Sequence, residues 1–403
     1  MHDKNTTAQL EHSGGKSVRL HYIDWLRLLA TMGVFLYHAT RPFDIQDWMI
    51  KNDERSIVIT VIFLIFLGSW GMPLFFMMAG ASSKFALMRR TGGQFARERT
   101  VRLVIPFIVG SILLTPLQVY IEWVHNGWYK GPFLAFIPTF IDSLPGPAFS
   151  ELFNPSTFES FGIHLWFLGF LFSFSMIALP LFLWLKKDAG KGFISRLVNL
   201  TERRGGILVF ILPIMLIRFI LHPLYPEYTS WSDFIYYLMF FIYGYLLYSD
   251  ERFMQVIHRD WRLALAVGIL STLVIIVVAA AGLGMEWYSN SEIIGFYIAW
   301  ALISVNGWCW VVFVLYFSTR ILNMRNKWLD YGQEAILPFY VFHQPVTFAI
   351  AFFILERDAG ILVKLTVVIL SSFIIILGIH ELIVRRVKPL RTLFGMKPRI
   401  ERI

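Results

Sequence analysis

Long apolar stretches alternate with short polar ones along the 403-residue chain. Windows of roughly membrane-spanning length occur ten times, near 22–40, 57–81, 103–123, 162–185, 206–221, 234–248, 263–283, 293–319, 335–355 and 360–384. They are apolar almost without interruption and lack the two-residue alternation of a barrel strand, so each predicts a helix. The expected fold is all-α, a polytopic membrane helix bundle of about ten transmembrane helices. Composition agrees: 57% of residues are apolar and only 16% charged, more apolar surface than a soluble chain of this length can hide. Residues 1–20 read as a disordered cytoplasmic tail, 21–386 as one membrane domain, and 387–403 as a basic cytoplasmic tail. The first apolar stretch follows twenty polar residues and has no small-residue cleavage site, so it is expected to remain as the first helix.

Charge gives the bundle a direction. With ten spans, 28 of the 36 Lys and Arg residues fall on the side of the termini and 5 on the other, Arg27, Arg218 and Lys364 lying inside spans. The positive-inside rule then makes both termini cytoplasmic. The net charge of +9 is this loop bias, which faces anionic headgroups or an anionic cosubstrate and calls for no nucleic acid. The single cysteine, Cys309, excludes disulfides within the chain and reads as a small core residue. No His, Asp or Glu spacing resembles a metal-ligand set.

Polar residues inside the spans are the candidate chemistry, because ionisable groups are costly in a bilayer and need a partner or a task. Arg27 and His38 are eleven residues apart, or 1100° of helix at 100° per residue, so they share one face about 16 Å apart in depth. Asp24, one turn earlier, falls near the same stripe. Arg27 then lies toward the cytoplasm and His38 further out. His343 sits near mid-depth in Tyr340-Val341-Phe342-His343-Gln344-Pro345, and Pro338 and Pro345 around it point to a broken helix with freed carbonyls. His164, opening His164-Leu165-Trp166-Phe167, is expected at the extracytoplasmic rim.

Two loops add to this. Segment 82–102 carries Lys84, Arg89, Arg90, Arg99 and Arg102; the last two are neighbours on a helix, and paired guanidinium forks suit phosphate oxygens as well as lipid headgroups. Segment 124–161, the one long extracytoplasmic connection, holds five prolines and many aromatics. It reads as an interfacial loop or as a lid over an acceptor.

Taken in order, these motifs resemble the acyltransferase-3 family of membrane-bound acyltransferases. The resemblance rests on Arg27 with His38, on Phe75-Phe76-Met77-Met78-Ala79-Gly80 as a loose second-helix match, and on Arg99 with Arg102. It rests also on His164 to Leu168 and Tyr340 to Pro345, which are similar to the branch concerned with periplasmic glucan succinylation. It spans about residues 20–390, in the stand-alone form without a fused extracytoplasmic domain. Ala79 departs from it, standing where the family has serine. The resemblance implies transfer of an acyl group, acetyl or succinyl, from cytosolic acyl-CoA to an extracytoplasmic carbohydrate in a bacterial inner membrane. Acyl-CoA is then a cosubstrate, with no permanently bound cofactor.

On this reading Arg27, Arg99, Arg102 and Lys84 bind coenzyme phosphates. His38 is the catalytic base or the carrier of an acyl-histidine. His343, or backbone amides beside it, supports the oxyanion, and His164, Trp166 and Glu122 meet the acceptor. The competing function is a multi-pass transporter or proton-coupled carrier, which also uses intramembrane ionisable groups and broken helices.

Overall fold

A computed structural model describes residues 20–144 and 154–396. Among these residues every regular element is helical. In chain order they are α1 (His21–Thr40), α2 (Ile57–Arg89), α3 (Gly92–His125), α4 (Phe133–Ser143), α5 (Thr157–Ile177), α6 (Leu179–Leu185), α7 (Asp188–Thr201) and α8 (Gly206–Leu221). They continue as α9 (Trp231–Leu247), α10 (Glu251–Ala280), α11 (Gly284–Ser289), α12 (Ile294–Ile321), α13 (Lys327–Leu355), α14 (Ile361–Val384) and α15 (Lys388–Leu393).

Nine of the ten apolar windows centre on a single one of these helices, and the window 162–185 is divided between α5 and α6. Seven helices, α2, α3, α5, α10, α12, α13 and α14, are long and apolar enough to cross a membrane. The shorter α8 and α9 fall below that length, and in α1 the polar residues His21, Asp24, Arg27 and His38 lower the hydropathy. Only 17% of the apolar window of α10 and of α14 is buried within the protein, against 61% for α5. The first two therefore turn their apolar surface outward to lipid, while α5 runs through the interior.

Local sequence explains the joints that matter for the site. Thr91 and Gln94 form a reciprocal capping box that starts α3 two residues after α2 ends, satisfying two otherwise open backbone donors. A π-helical turn, Thr100–Val104, follows Arg99 in α3, a widened geometry that recurs at functional sites. Helices α2 and α9 cross at glycines: a Cβ on Gly80 would lie 1.8 Å from the Phe241 carbonyl oxygen, and one on Gly244 1.9 Å from that of Met77. Only residues without side chains permit this backbone approach.

The expected break in α13 is absent. Lys327–Leu355 is one continuous helix with Pro338 and Pro345 inside it, and the His164 side chain takes up the Val341 carbonyl that Pro345 releases. The segment 124–161 contains α4 and the start of α5; residues 145–153 of it, the tail 1–19 and residues 397–403 lie outside the described residues. The described part of the basic tail packs inward. Arg391 is buried and pairs with Glu334 at 3.3 Å, and Phe394 lies 4.7 Å from Phe342.

Candidate active site

Two cavities follow one another through the bundle. The inner one, of about 220 Å³, is lined by Arg27, Arg90, Glu98, Arg99 and Arg102. The outer one, of about 600 Å³, is lined by His38, Arg41, Glu159, His164 and Trp166 among many aromatics. Phe75, Phe167 and Tyr340 line both and so form the wall between them. The Phe75 and Phe167 rings meet edge-on at 4.9 Å, and Phe167 and Tyr340 at 5.7 Å.

In the inner cavity the charge is strongly unbalanced, four guanidinium groups against one carboxylate. Glu98 is held by Arg90 at 2.9 Å and by Arg102 at 3.6 Å. Arg102 Nε also donates to the Gly395 carbonyl, 3.4 Å, which ties the chain end to this cavity. Arg99 donates to Ser83 Oγ at 3.0 Å and lies over the Phe95 ring. Ser82 lines the same space as Ala79, so a hydroxyl absent at position 79 is present three residues on. Lys84 lines neither cavity; its ammonium sits 5.5 Å above the Tyr245 ring.

His38 and His164 line the outer cavity, and His343, from a third helix, is buried beside them. His343 lies between the other two, ring centres 5.2 Å from His38 and 5.1 Å from His164. His164 is buried against His343. The proline pattern builds part of the cluster. Pro345 has no N–H for the carbonyl four residues back, that of Val341, and His164 Nε2 donates to this carbonyl at 3.0 Å. His343 Nδ1 donates to the Tyr340 carbonyl at 2.5 Å, and the Tyr340 hydroxyl donates to the His164 carbonyl.

A carbonyl can only accept, so these bonds fix the tautomers: the proton is on Nε2 of His164 and on Nδ1 of His343. His164 Nδ1, His343 Nε2 and His38 Nδ1 are buried with no hydrogen-bond partner among the described residues. Leaving a buried polar atom unsatisfied costs about 1–3 kcal/mol, and three in one cluster mark a site where structure yields to chemistry. While neutral, His343 presents a lone pair at Nε2, which fits it to exchange a proton with His38 better than to donate to an oxyanion.

Around the histidines the wall is aromatic. Trp48 stacks on His38 at 6.1 Å, and Trp166 on Tyr237 at 5.9 Å. Sequence reasoning passed over the segment 41–56, which closes against this cavity through Arg41, Gln46 and Trp48. Its centre is the buried Asp44, bound by Arg41 at 2.8 Å and Lys51 at 2.7 Å. Burial lowers the pKa of Lys51, against the pull of Asp44. The signal was available in the Arg-x-x-Asp spacing just past the first helix. Glu122 does not line the cavity; it stands half-exposed near the C-terminal end of α3, its carbonyl accepting from Asn126.

The acyltransferase domain family matches residues 20–381. The chain belongs to the acyltransferase-3 family. It is a membrane acyltransferase, transferring groups other than amino-acyl groups. Among its relatives is glucans biosynthesis protein C of Salmonella typhimurium, 23% identical over 404 residues that cover 95% of this chain and 96% of that protein. The protein of the same name from Escherichia coli (strain K12) is 23% identical over 398 residues, with the same coverage. No solved structure matches this acyltransferase.

Proposed function

We propose that the protein is an O-acyltransferase of a bacterial inner membrane. It moves an acetyl or succinyl group from cytosolic acyl-CoA to an extracytoplasmic carbohydrate, with a glucan the acceptor that its relatives' name favours. The carrying observation is the pair of cavities: guanidinium groups at one level, histidines at the next, and a thin aromatic wall between. The topology that suits this has ten spans and both termini in the cytoplasm, so that the arginine cavity opens toward the coenzyme and the histidine cavity outward.

In this reading Arg27, Arg99 and Arg102 receive coenzyme phosphates, since forked donors match phosphate oxygens. The pantetheine arm then passes Phe75, Phe167 and Tyr340 and carries the thioester to His38. His38 takes the proton of the acceptor hydroxyl as its oxygen attacks the thioester carbon. The tetrahedral oxyanion collapses, the C–S bond breaks, and the coenzyme thiolate recovers the proton from the imidazole. A well-placed base contributes roughly 10²- to 10⁴-fold in rate. His164 and His343 fix the cluster's hydrogen-bonding directions, and Trp166 offers its face to the acceptor.

The test is purified full-length protein in detergent with acyl-labelled acetyl- or succinyl-CoA and gluco-oligosaccharides. Label appearing on the sugar supports the reading. Sugar that crosses vesicles containing the protein while remaining unmodified would support a carrier in its place.

A further inference from the structure

Among the described residues only two other than glycine take a left-handed backbone, Ile163 (φ 47°) and Thr229 (φ 59°). Both are β-branched, and such strain persists only where the surroundings enforce it, most often at functional sites. Both serve the outer cavity. Residues 159 and 164, on an unbroken helix, would face about 140° apart. The break in helical geometry at Ile163, between the first turns of α5 and the 3₁₀ turn Ile163–Leu165, lets Glu159 and His164 line the same space.

Thr229 is held from three directions. Its N–H donates to Asp233 Oδ2 at 2.8 Å, and its hydroxyl lies 2.7 Å from the Tyr228 carbonyl and 2.9 Å from Glu159 Oε2. Asp233 is ion-paired with the buried Arg218 at 2.7 Å, and that guanidinium is clamped over the Tyr236 ring at 4.0 Å. The result is a chain of polar contacts, Arg218 to Asp233 to Thr229, that ends on a cavity carboxylate. Beside it Tyr228 lines the cavity, edge-on to Trp166 at 5.7 Å. Burying a charged pair to support a loop is costly unless its geometry is used, and no step of the transfer described above uses it.

We propose that Glu159 is an acceptor-binding residue. Its carboxylate receives hydroxyl hydrogens of a neutral sugar whose ring lies against Tyr228 and Trp166, and Thr229, Asp233 and Arg218 are positioning residues that hold it there. An ionised carboxylate only accepts, at about four lone-pair sites, and such bonds are the stronger, charge-assisted kind. A polyhydroxylated ring satisfies it, whereas a phosphorylated or carboxylated acceptor is repelled. Held from one side by Glu159, the sugar turns a chosen hydroxyl toward His38, so the residue sets acceptor specificity.

This rests on the acyl-transfer reading, and its test separates the two. Purified protein is given labelled acetyl- or succinyl-CoA with short linear gluco-oligosaccharides, and label on sugar and label released by water are measured together. Glu159→Gln keeps the size and the Thr229 contact; it should raise the sugar KM tenfold or more while donor KM and hydrolysis stay within twofold. Thr229→Gly should reproduce a several-fold rise in sugar KM, and Thr229→Ser, which restores the hydroxyl, should largely recover it. Wild-type turnover with an unchanged sugar KM in Glu159→Gln, or equal losses of transfer and hydrolysis, overturns the Glu159 assignment alone. Wild-type protein that consumes neither donor overturns the acyl-transfer reading beneath it.

Discussion

Replacing Pro345 with alanine should make the protein more stable and less active. Proline inside a helix costs up to about 3 kcal/mol relative to alanine, so Pro345→Ala should raise the melting temperature by a few degrees. The new N–H at 345 points at the Val341 carbonyl, the group that now accepts from His164 Nε2 at 3.0 Å. A bond of that kind has a net worth of about 0.5–1.5 kcal/mol. Weakening it releases the His164 ring and, through the 5.1 Å contact, loosens His343. At 1.4 kcal/mol per factor of ten, turnover should fall roughly two- to tenfold with little change in donor KM. The assay is label transfer from acyl-CoA alongside thermal unfolding in detergent, in wild-type and His164→Ala backgrounds. If the proline acts through His164, Pro345→Ala has no further effect once His164 is gone. Full activity in Pro345→Ala, or an equal loss in both backgrounds, refutes the reasoning.

Two further substitutions probe the inner cavity and the helix crossing. Arg99→Ala should raise the KM for acyl-CoA about tenfold or more, the loss of one charge-assisted contact of about 1.5–3 kcal/mol. Arg99→Lys should recover only part of this, because an ammonium cannot donate to phosphate and to Ser83 as a fork does; an unchanged donor KM in Arg99→Ala would remove Arg99 from the coenzyme site. Gly80→Ala must push α2 and α9 apart, since its Cβ would stand 1.8 Å from the Phe241 carbonyl oxygen. Overpacking of this kind costs about 1–3 kcal/mol or more and should appear as a lower melting temperature, while Gly93→Ala, whose Cβ meets nothing within 4 Å, should not lower it.

Much of this was legible in the sequence, for physical reasons. A bilayer demands long apolar helices, so hydropathy alone located the helices that carry the site. The 20° coincidence of Arg27 and His38 on one face depends only on helical pitch, and the structure brings Arg27 to the inner cavity and His38 to the outer. Tertiary consequences were hidden. His164, which opens an apolar window, read as a rim residue, and nothing in the pattern announced its contact with His343 or the break at Ile163. The prolines of α13 correctly signalled free carbonyls, but that His164 would accept the role of donor to one of them is a contact between distant segments. Glu159 lay inside what read as a loop, Arg218 read only as a cation inside a span, and Asp233 lay just outside the window 234–248. Lys84 and Glu122, chosen for charge and depth, face away from the cavities, since depth says nothing of azimuth.

On the proposed mechanism, acyl transfer between the two cavities depends on His38. The direct measurement is label transfer from acyl-CoA to gluco-oligosaccharide by purified His38→Ala, with donor binding measured on the same sample. The expected result is a fall of about 10²- to 10⁴-fold in turnover with donor affinity within twofold of wild type. Turnover near that of wild type in a folded, donor-binding His38→Ala protein would contradict the account.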